Sequence, residues 1–330
     1  MAGNPNAYRA LIIIEESIIS AAFVKGWLAS GNSVAAFWTT DREVLTASAG
    51  QKIISIASSV PTLEEQARRH KIPVEHVESL KDRAEIIDRL SAIGADTLIT
   101  VMTHLIVPEW LLAEFGDRAV NIHPALLPHY KGPMPLVGLL ADRKAGKYGG
   151  MTIHRLDTGI DTGAIIAQRP VPTSPGENFH AWVYRLAVAG ERLARKELQQ
   201  YLDGELEAVA QVEGSGNYRK GDRLEFMVEP SKTLEDVRRL FAMPAGLTVR
   251  AVSKPMPGRR QSVAVHRSAA VISEPSKEPP RITPFSFEMD IQDCRIRMPR
   301  MRKAVSIFTR PALPIILYRV SRLWGRKDEA

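Results

Sequence analysis

Short apolar runs alternate with amphipathic segments through the first hundred residues of the chain. Residues 10–14 read ALIII, a continuous apolar run that is typical of a strand buried on both faces. Further strands are predicted at Val34–Trp38, Val74–Val77 and Thr97–Met102, separated by helices at Ile18–Ser30, Leu63–His70 and Asp82–Leu90. Strands and helices that alternate at this spacing predict an α/β fold with a doubly wound, mostly parallel sheet.

The alternating pattern continues to residue 205 and then changes. Strands are predicted over 118–120, 150–156 and 164–171, and a helix over Phe179–Leu202 closes this part of the chain. The turn-rich segment GSGNYRKGDR marks a boundary, and Thr233 with Asp236 forms a capping box for a helix over Leu234–Phe241. Strand-like runs at Ser262–Ile272 and Phe285–Met298 predict a small β-containing module. The predicted regions are therefore 1–205, a linker with a helix over 206–250, and a C-terminal region over 251–330.

Asn121 and His123 stand two residues apart at the end of the predicted strand over 118–120. Side chains at positions i and i+2 of a strand share a face, so the amide and the imidazole project together. A Pro/Gly-rich loop follows, and the later turn DTGIDTG supplies the carboxylates of Asp157 and Asp161. A neutral donor, a titratable imidazole and a carboxylate can support acyl transfer without a covalent intermediate and without a metal.

The stretch from Asn121 to Gly163 closely resembles the formyltransferase family that uses 10-formyltetrahydrofolate as its formyl donor. The family motif joins Asn-x-His-Pro-x-Leu-Leu-Pro to a later Leu/Ile-Asp-x-Gly turn, and the chain carries NIHPALLP and IDTG. The resemblance covers about residues 8–205, which it implies is the catalytic domain. It implies a catalytic trio of Asn121, His123 and Asp161. It also implies folate-binding residues, which are Met102, Thr103, His104, Leu105, Asp157 and Gly159.

Each member of the trio has an expected role. A positively charged His123 and the amide of Asn121 would stabilise negative charge on the formyl oxygen. Asp161 would accept the amine proton through water, or hold His123 in the required protonation state. Asp157 is expected to stabilise its turn through Asx hydrogen bonds, and His154 is expected to be an ordinary strand residue.

The amine that would accept the formyl group is less clearly indicated. The first βα turn reads IIIEESIIS and contains no glycine, which argues against a dinucleotide. The purine-pathway members of the family that the chain resembles carry a glycine-rich phosphate loop at this place, so the resemblance implies that glycinamide ribonucleotide is a poor acceptor. The stretch VLTASAGQKIISIASSVP occupies the place of a basic insertion in the tRNA enzymes but has one Lys and no Arg. A small amine, such as a nucleotide-linked amino sugar, is therefore the preferred acceptor. The alternatives are methionyl-tRNA, water in a formyltetrahydrofolate hydrolase, and no acceptor at all in a non-catalytic folate-binding protein.

The charge of the chain is concentrated at its C-terminal end. Residues 251–330 contain 16 Lys and Arg against 7 Asp and Glu, so any tRNA contact is expected there. The single Cys294 excludes an intrachain disulfide, and no secretory signal or membrane-spanning run is apparent, which favours a cytoplasmic location. The sequence leaves the oligomeric state open.

The tail over Ala304–Lys327 combines an apolar stripe with several cations. After Pro314 this spacing predicts a short basic amphipathic helix. Docking of the stripe onto the core of the protein is the preferred interpretation. Peripheral contact with an anionic membrane is the alternative, because such helices bind membranes through both apolar burial and charge.

Overall fold

The protein is described by a computed structural model that covers residues 7–42, 45–174, 176–244, 249–254, 261–300 and 312–325. The chain forms two compact units. The first unit comprises residues 1–174, 180–221 and 312–330, and the second comprises residues 175–179 and 222–311.

A seven-stranded sheet forms the centre of the first unit. Its strands are β1 (Arg9–Ile14), β2 (Ser33–Thr39), β3 (Val74–His76), β4 (Thr97–Val101), β5 (Ala119–His123), β6 (Gly150–Arg155) and β7 (Ile165–Pro170). They follow the order β3-β2-β1-β4-β5-β6-β7. The first five strands in this order are parallel to one another, whereas β6 runs antiparallel to β5 and β7 antiparallel to β6. The predicted α/β fold with a mostly parallel sheet is therefore confirmed.

Nine helices of the first unit precede its boundary at Gly221 in the described part of the chain. They are α1 (Ile18–Ala29), α2 (Ala49–Ser58), α3 (Leu63–His70), α4 (Arg83–Ile93), α5 (Glu109–Phe115), α6 (Pro135–Ala141), α7 (Ala145–Tyr148), α8 (Phe179–Arg195) and α9 (Glu197–Leu202). The single helix predicted over Phe179–Leu202 is thus divided at Lys196. Helix α2 was not predicted, although Ser48 and Gln51 form a capping box at its start.

Burial explains why the central strand is uniformly apolar. Residues 10–14 of β1 are completely buried, because β2 and β4 pair with its two edges and helices cover the sheet. Trp38 of β2 and Leu98 of β4 belong to a core cluster that also receives Leu105 and Leu156 from two loops. Each large apolar side chain buried in this way stabilises the fold by about 1.5–3 kcal/mol. The sheet is a rigid support for the loops at its carboxyl edge.

Strand register places three polar side chains in one row across the sheet. Thr100 of β4 pairs with Asn121 of β5, and Asn121 pairs with His154 of β6. Paired residues on neighbouring strands point to the same face, so their side chains are neighbours. The antiparallel direction of β6 therefore brings a second histidine beside Asn121.

The second unit contains two small sheets, one α-helix and one short 3-10 helix (Arg223–Phe226) in its described part. One sheet has the strand order β10-β9-β8, and the other is antiparallel with the order β11-β14-β13-β12. The helix α10 (Leu234–Phe241) begins at the predicted capping box of Thr233 and Asp236. Each long predicted run is two strands with a turn between them. The strands are β8 (Met227–Val228), β9 (Val249–Lys254), β10 (Gln261–Val265), β11 (Ala270–Ser273), β12 (Arg281–Ile282), β13 (Ser286–Asp290) and β14 (Arg295–Pro299).

The predicted tail helix is α11 (Ala312–Gly325), and it belongs to the first unit. It packs against α2, where Arg319 Nη1 donates to the carbonyl of Ala57 at 2.7 Å. The side chain of Ile315 is buried, so the predicted docking of the stripe is present in part. Leu313, Ile316 and Leu317 of the same helix are exposed. None of the described helices has the length and apolarity that crossing a bilayer requires.

Candidate active site

Asn121 and His123 lie at the carboxyl end of β5, and the strand periodicity predicts that their side chains share a face. Asn121 Oδ1 accepts a hydrogen bond of 2.8 Å from the Thr100 hydroxyl. Its Nδ2 lies 3.0 Å from His154 Nε2 and 3.2 Å from Asp161 Oδ1. An ionised carboxylate can only accept, so the amide nitrogen must face Asp161 and the amide orientation is determined. Both N–H groups of Asn121 are therefore directed at neighbouring side chains.

His123 is held between a backbone carbonyl and a carboxylate. Its Nε2 lies 2.9 Å from the carbonyl oxygen of Tyr130, and a carbonyl only accepts, so Nε2 carries a proton. Its Nδ1 lies 3.5 Å from Asp161 Oδ2. The His123 side chain is 5% exposed, whereas that of Asp161 is 12% exposed. The structure thus brings the three predicted catalytic residues together in one largely buried cluster.

Asp161 receives partners from four directions. Besides Asn121 and His123, its carboxylate accepts a 2.8 Å hydrogen bond from the Gly132 amide and lies 3.4 Å from His154 Nε2. Burial acts to raise the pKa of Asp161, but the His154 hydrogen bond, the histidine charges and the Gly132 amide together lower the pKa to about 2. Asp161 is consequently ionised throughout the neutral pH range.

His123 responds to the same surroundings in a different way. Burial lowers the pKa of His123 because the charged imidazolium loses its hydration. The negative charge of Asp161 and the hydrogen bond to the Tyr130 carbonyl oppose this decrease, since both favour the protonated ring. The net direction is downward, so the resting site combines a charged carboxylate with an imidazole that is neutral and able to accept a proton.

His154 is a member of the cluster that the sequence reasoning missed. Its side chain is 1% exposed, and its Nδ1 lies 2.8 Å from the carbonyl oxygen of Arg155. That carbonyl can only accept, so Nδ1 carries a proton, and Nε2 faces both Asn121 Nδ2 and Asp161 Oδ1. The cross-strand pairing of His154 with Asn121 was the available signal, but it becomes visible only once β6 is known to be antiparallel.

Asp157 lies in the other half of the DTGIDTG turn, away from the trio. Its carboxylate accepts from the Gly159 amide at 3.2 Å and from the Thr162 hydroxyl at 2.8 Å. These are bonds within the turn, of the Asx kind. Gly163 completes the turn, because a Cβ there would overlap the carbonyl oxygen of Arg155. Asp157 and Gly159 are both exposed at the surface.

The expected folate-binding loop follows β4 directly. Val101 pairs with Ile122, so Met102 enters the loop beside the end of β5, next to His123. Within the loop, the Thr103 hydroxyl accepts from the Leu105 amide at 3.1 Å. Leu105 packs into the core cluster, whereas His104 is exposed. Met102 is thus the loop residue that strand register brings next to the trio, and the His104 side chain faces solvent.

Four residues around the site have left-handed backbone conformations that side chains disfavour. Met102, Tyr130, Met134 and Asp161 have φ values of 54°, 58°, 57° and 55°. Such residues persist only where the surrounding structure imposes them, and they concentrate at functional sites. The Leu127–Pro128 peptide in the loop after β5 is cis.

The neighbouring end of β1 carries acidic side chains. Glu15 accepts hydrogen bonds from the hydroxyls of Thr39 and Thr40, and Glu16 accepts from the Leu63 amide at 3.1 Å. Burial raises the pKa of Glu16 to about 7. Lys52 is the one Lys or Arg in the sequence VLTASAGQKIISIASSVP (residues 44–61), and its Nζ lies 3.5 Å from the Glu64 carboxylate. Lys52 is therefore already paired with an acidic side chain in the described part of this edge.

Within the described residues, no group of three or more His, Cys, Asp and Glu side chains has an arrangement that could hold a metal ion.

Comparison with known proteins agrees with this geometry. The family described as formyl transferase matches residues 30–196, which is half of the chain. A methionyl-tRNA formyltransferase of Halalkalibacterium halodurans is 27% identical over 194 residues, which cover 57% of this chain and 60% of the relative. The chain thus spans less than two thirds of that relative.

Solved structures share the fold. A sugar 3N-formyl transferase crystallised with dTDP and 5-N-formyl-THF superimposes with a TM-score of 0.54 at 16% identity, covering 91% of this chain and 100% of that one. An N-formyltransferase of Helicobacter canadensis, in complex with folinic acid and dTDP-3-aminofucose, gives a TM-score of 0.51 at 16% identity, with coverages of 89% and 100%. Together with the family match over residues 30–196, these findings show that the chain belongs to the formyl transferase family.

Proposed function

We propose that the protein transfers a formyl group from 10-formyltetrahydrofolate to a primary amine. The observation that carries this proposal is the buried cluster of Asn121, His123 and Asp161 at the carboxyl end of β5. It combines a neutral amide donor, an imidazole with a lowered pKa and a carboxylate whose pKa is lowered to about 2. Ligands of doubly wound sheets bind beyond the carboxyl ends of the strands, where this cluster lies.

The donor supplies the formyl group, and the residues of the cluster handle charge and protons. As the amine nitrogen bonds to the formyl carbon and the bond to the folate nitrogen breaks, one proton must leave the amine. Neutral His123 accepts this proton on Nδ1, directly or through water, and the charge of Asp161 stabilises the resulting imidazolium. The departing folate nitrogen takes up one proton in turn, from the imidazolium or from water, so the transfer releases tetrahydrofolate without a net gain or loss of protons. With a pKa of about 2, Asp161 is too weak a base to take the proton itself at neutral pH.

Asn121 is the proposed donor to the formyl oxygen, where negative charge develops. Its Nδ2 group has a 3.0 Å contact with His154 and a 3.2 Å contact with Asp161. Binding of the formyl oxygen then replaces the longer of these two bonds. Thr100 and His154 keep the amide in place while this exchange occurs.

The two loops proposed to bind the donor carry exposed apolar side chains. The loop after β4 exposes Ile106, which is 77% accessible, and the turn before β7 exposes Ile160 beside Asp161. Exposed apolar side chains next to a polar cluster are typical of ligand-binding clefts. We therefore assign the donor to residues Met102–Leu105 and to the turn that contains Asp157 and Gly159.

For the acceptor we propose a small primary amine, such as the amino group of a nucleotide-linked sugar. The β1 edge of the sheet carries Glu15 and Glu16, and its Lys52 is paired with Glu64. A long polyanion would need several cations in this region. Support also comes from the Helicobacter canadensis neighbour, whose structure contains dTDP-3-aminofucose.

Methionyl-tRNA is the alternative acceptor, and two observations favour it. The curated relative from Halalkalibacterium halodurans is a methionyl-tRNA formyltransferase. The C-terminal residues 251–330 carry a large excess of Lys and Arg, which could contact tRNA phosphates.

One assay separates these possibilities. The purified full chain is incubated with 10-formyltetrahydrofolate and either dTDP- or UDP-linked amino sugars, methionyl-tRNA, or no acceptor, and products are identified by mass spectrometry. Formylation of an amino sugar, with little change between low and physiological salt, is expected. Specific formylation of methionyl-tRNA that weakens steeply with salt would replace the proposed acceptor. Turnover without acceptor would indicate a hydrolase.

Membrane contact through α11 is the less favoured alternative to docking of this helix on the protein. The apolar side chains of Leu313, Ile316 and Leu317 are exposed although the helix is docked on α2. Co-sedimentation of the full chain with anionic vesicles at low salt should then be lost when these three residues are replaced by Ser. Equal sedimentation of both proteins, or none, would leave α11 as a packing helix.

A further inference from the structure

The segment Val209–Gly221 follows the part of the chain that matches the family, which ends at residue 196. Its composition predicts a turn-rich boundary between regions. In the structure it belongs to the first unit, and it contacts both loops that carry the partners of His123 and Asp161. This segment therefore lies against the site.

The first half of the segment holds the turn that carries Asp161. Val209 and Ile165 exchange two backbone hydrogen bonds, each 2.8 Å long. Gln211 Nε2 then donates to the backbone carbonyls of Asp161 at 2.9 Å and of Gly163 at 2.8 Å. Both partners can only accept, so the two N–H groups of Gln211 are required for this clamp.

The second half of the segment holds the loop that carries the partner of His123. Asn217 Oδ1 accepts from the Tyr130 amide at 3.1 Å, and the Asn217 carbonyl accepts from the Lys131 amide at 3.0 Å. The carbonyl of the same Tyr130 accepts from His123 Nε2. One residue thus connects Asn217 to the imidazole.

Two glycines allow the segment 209–221 and the loop after β5 to pack closely against each other. Gly216 has a φ of 73°, and a Cβ there would overlap the carbonyl oxygen of Pro128. Gly132 has a φ of 103°, and a Cβ there would lie 2.6 Å from the Tyr218 ring. The Gly132 amide is also the donor to Asp161 Oδ2. Packing and hydrogen bonding therefore converge on the same loop.

We infer that residues 209–221 are a positioning strap for the proposed catalytic trio, in which Gln211 orients Asp161 and Asn217 orients His123 through Tyr130. This inference rests on the proposed function. Small displacements of reacting groups have large effects on rate, because transfer requires close alignment of the reactants. A strap that only braced the fold would affect the amount of folded protein and leave the rate of each folded molecule unchanged.

The test compares four variants of the full chain, each with a single substitution, and uses the acceptor found in the panel assay. Gln211→Ala and Asn217→Ala should each lower kcat by about tenfold or more, with KM for the folate donor nearly unchanged. Asn217→Asp keeps the acceptor for the Tyr130 amide and should restore most of the rate. Val212→Ala, next to Gln211 and exposed, is the matched control.

A second readout does not depend on turnover. Nitrogen NMR of His123 should show a proton fixed on Nε2 in the wild type and in Asn217→Asp. In Asn217→Ala this tautomer should lose its preference, because the Tyr130 carbonyl is no longer held in place. The inference is overturned if kcat per folded molecule and the His123 tautomer are unchanged in both alanine variants while only Tm falls. If the wild type transfers no formyl group, the proposed function fails, and the NMR result still decides whether Asn217 positions His123.

Discussion

The chain carries the tripeptide Asp-Thr-Gly twice within seven residues, and the two copies have different surroundings. The carboxylate of Asp157 accepts from Gly159 and Thr162 inside its own turn, and the residue is exposed. The carboxylate of Asp161 is 12% exposed and faces His123, His154, Asn121 and the Gly132 amide. The identical sequence therefore supports two kinds of aspartate.

The difference arises from the neighbours rather than from the turn. Only the second aspartate lies opposite the end of β5, so only its charge can affect the imidazole of His123. Its left-handed φ of 55° is an additional cost, which the surrounding hydrogen bonds offset. Burial next to a titratable partner is what distinguishes the proposed catalytic aspartate from the structural one.

The largest decrease in catalytic rate is expected when the imidazole of His123 is removed, because this ring faces Asp161 of the second Asp-Thr-Gly copy. His123→Ala should decrease kcat by about 100-fold or more, which is typical for the loss of a general acid–base group. His70→Ala, at the exposed C-terminal end of α3, serves as a histidine control and should retain most of the catalytic rate. Equal losses in the two variants, measured by steady-state formyl transfer, would mean that His123 has no special role.

The pH dependence of turnover should respond to the second aspartate. The active form of His123 is neutral, so kcat rises with pH through the His123 pKa, which burial places below its usual value. In Asp161→Asn the carboxylate no longer favours the imidazolium, so this pKa decreases and the acid limb moves to lower pH. Asp157→Asn should leave the limb in place. A limb that falls with increasing pH would show that the imidazolium is the active form.

The pH dependence of the free energy of unfolding should show the contribution of the Asp161 carboxylate. The pKa of Asp161 is lowered to about 2 from 3.8, so its ionised form stabilises the fold above pH 3.8. This stabilisation, roughly 2 kcal/mol, is lost as the pH falls through the folded pKa. Urea unfolding of Asp161→Asn should therefore show a smaller decrease in the free energy of unfolding across this range than the wild type. An unchanged decrease would mean that the carboxylate is not coupled to its neighbours.

The smallest effect is expected at the first aspartate. Asp157→Ala removes the acceptor for Gly159 and Thr162 and should lower the free energy of unfolding by about 1 kcal/mol. At saturating folate donor, kcat per folded molecule should stay within about threefold of the wild type, because the Asp157 carboxylate accepts from Gly159 and Thr162 inside its own turn; an effect on donor binding would appear in KM. Denaturant unfolding and kcat, measured on the same preparations, check both statements.

Much of the fold follows from periodicity, because buried strands such as residues 10–14 are continuously apolar and the helices between them are amphipathic. The proximity of Asn121 and His123 also follows from strand geometry. The contribution of His154 could not be predicted in this way, because it depends on the antiparallel pairing of β6 with β5.

The segment over Val209–Gly221 shows a second limit of sequence reasoning. Gly, Ser and Asn in this segment indicate turns, but composition carries no information about which distant carbonyls the turns approach. The contacts of Gln211 with Asp161 and of Asn217 with Tyr130 join residues far apart in the chain. Such contacts are set by tertiary structure, and the three-dimensional fold is needed to see them.

The most direct test of the account compares kcat for the matched pair Asp161→Asn and Asp157→Asn, per folded molecule, with 10-formyltetrahydrofolate and the acceptor found in the panel assay. The two substitutions make the same chemical change in the same tripeptide. We expect a loss of about 100-fold in the first variant and less than about threefold in the second. Loss of turnover in Asp157→Asn with retention in Asp161→Asn would contradict the assignment of the catalytic aspartate.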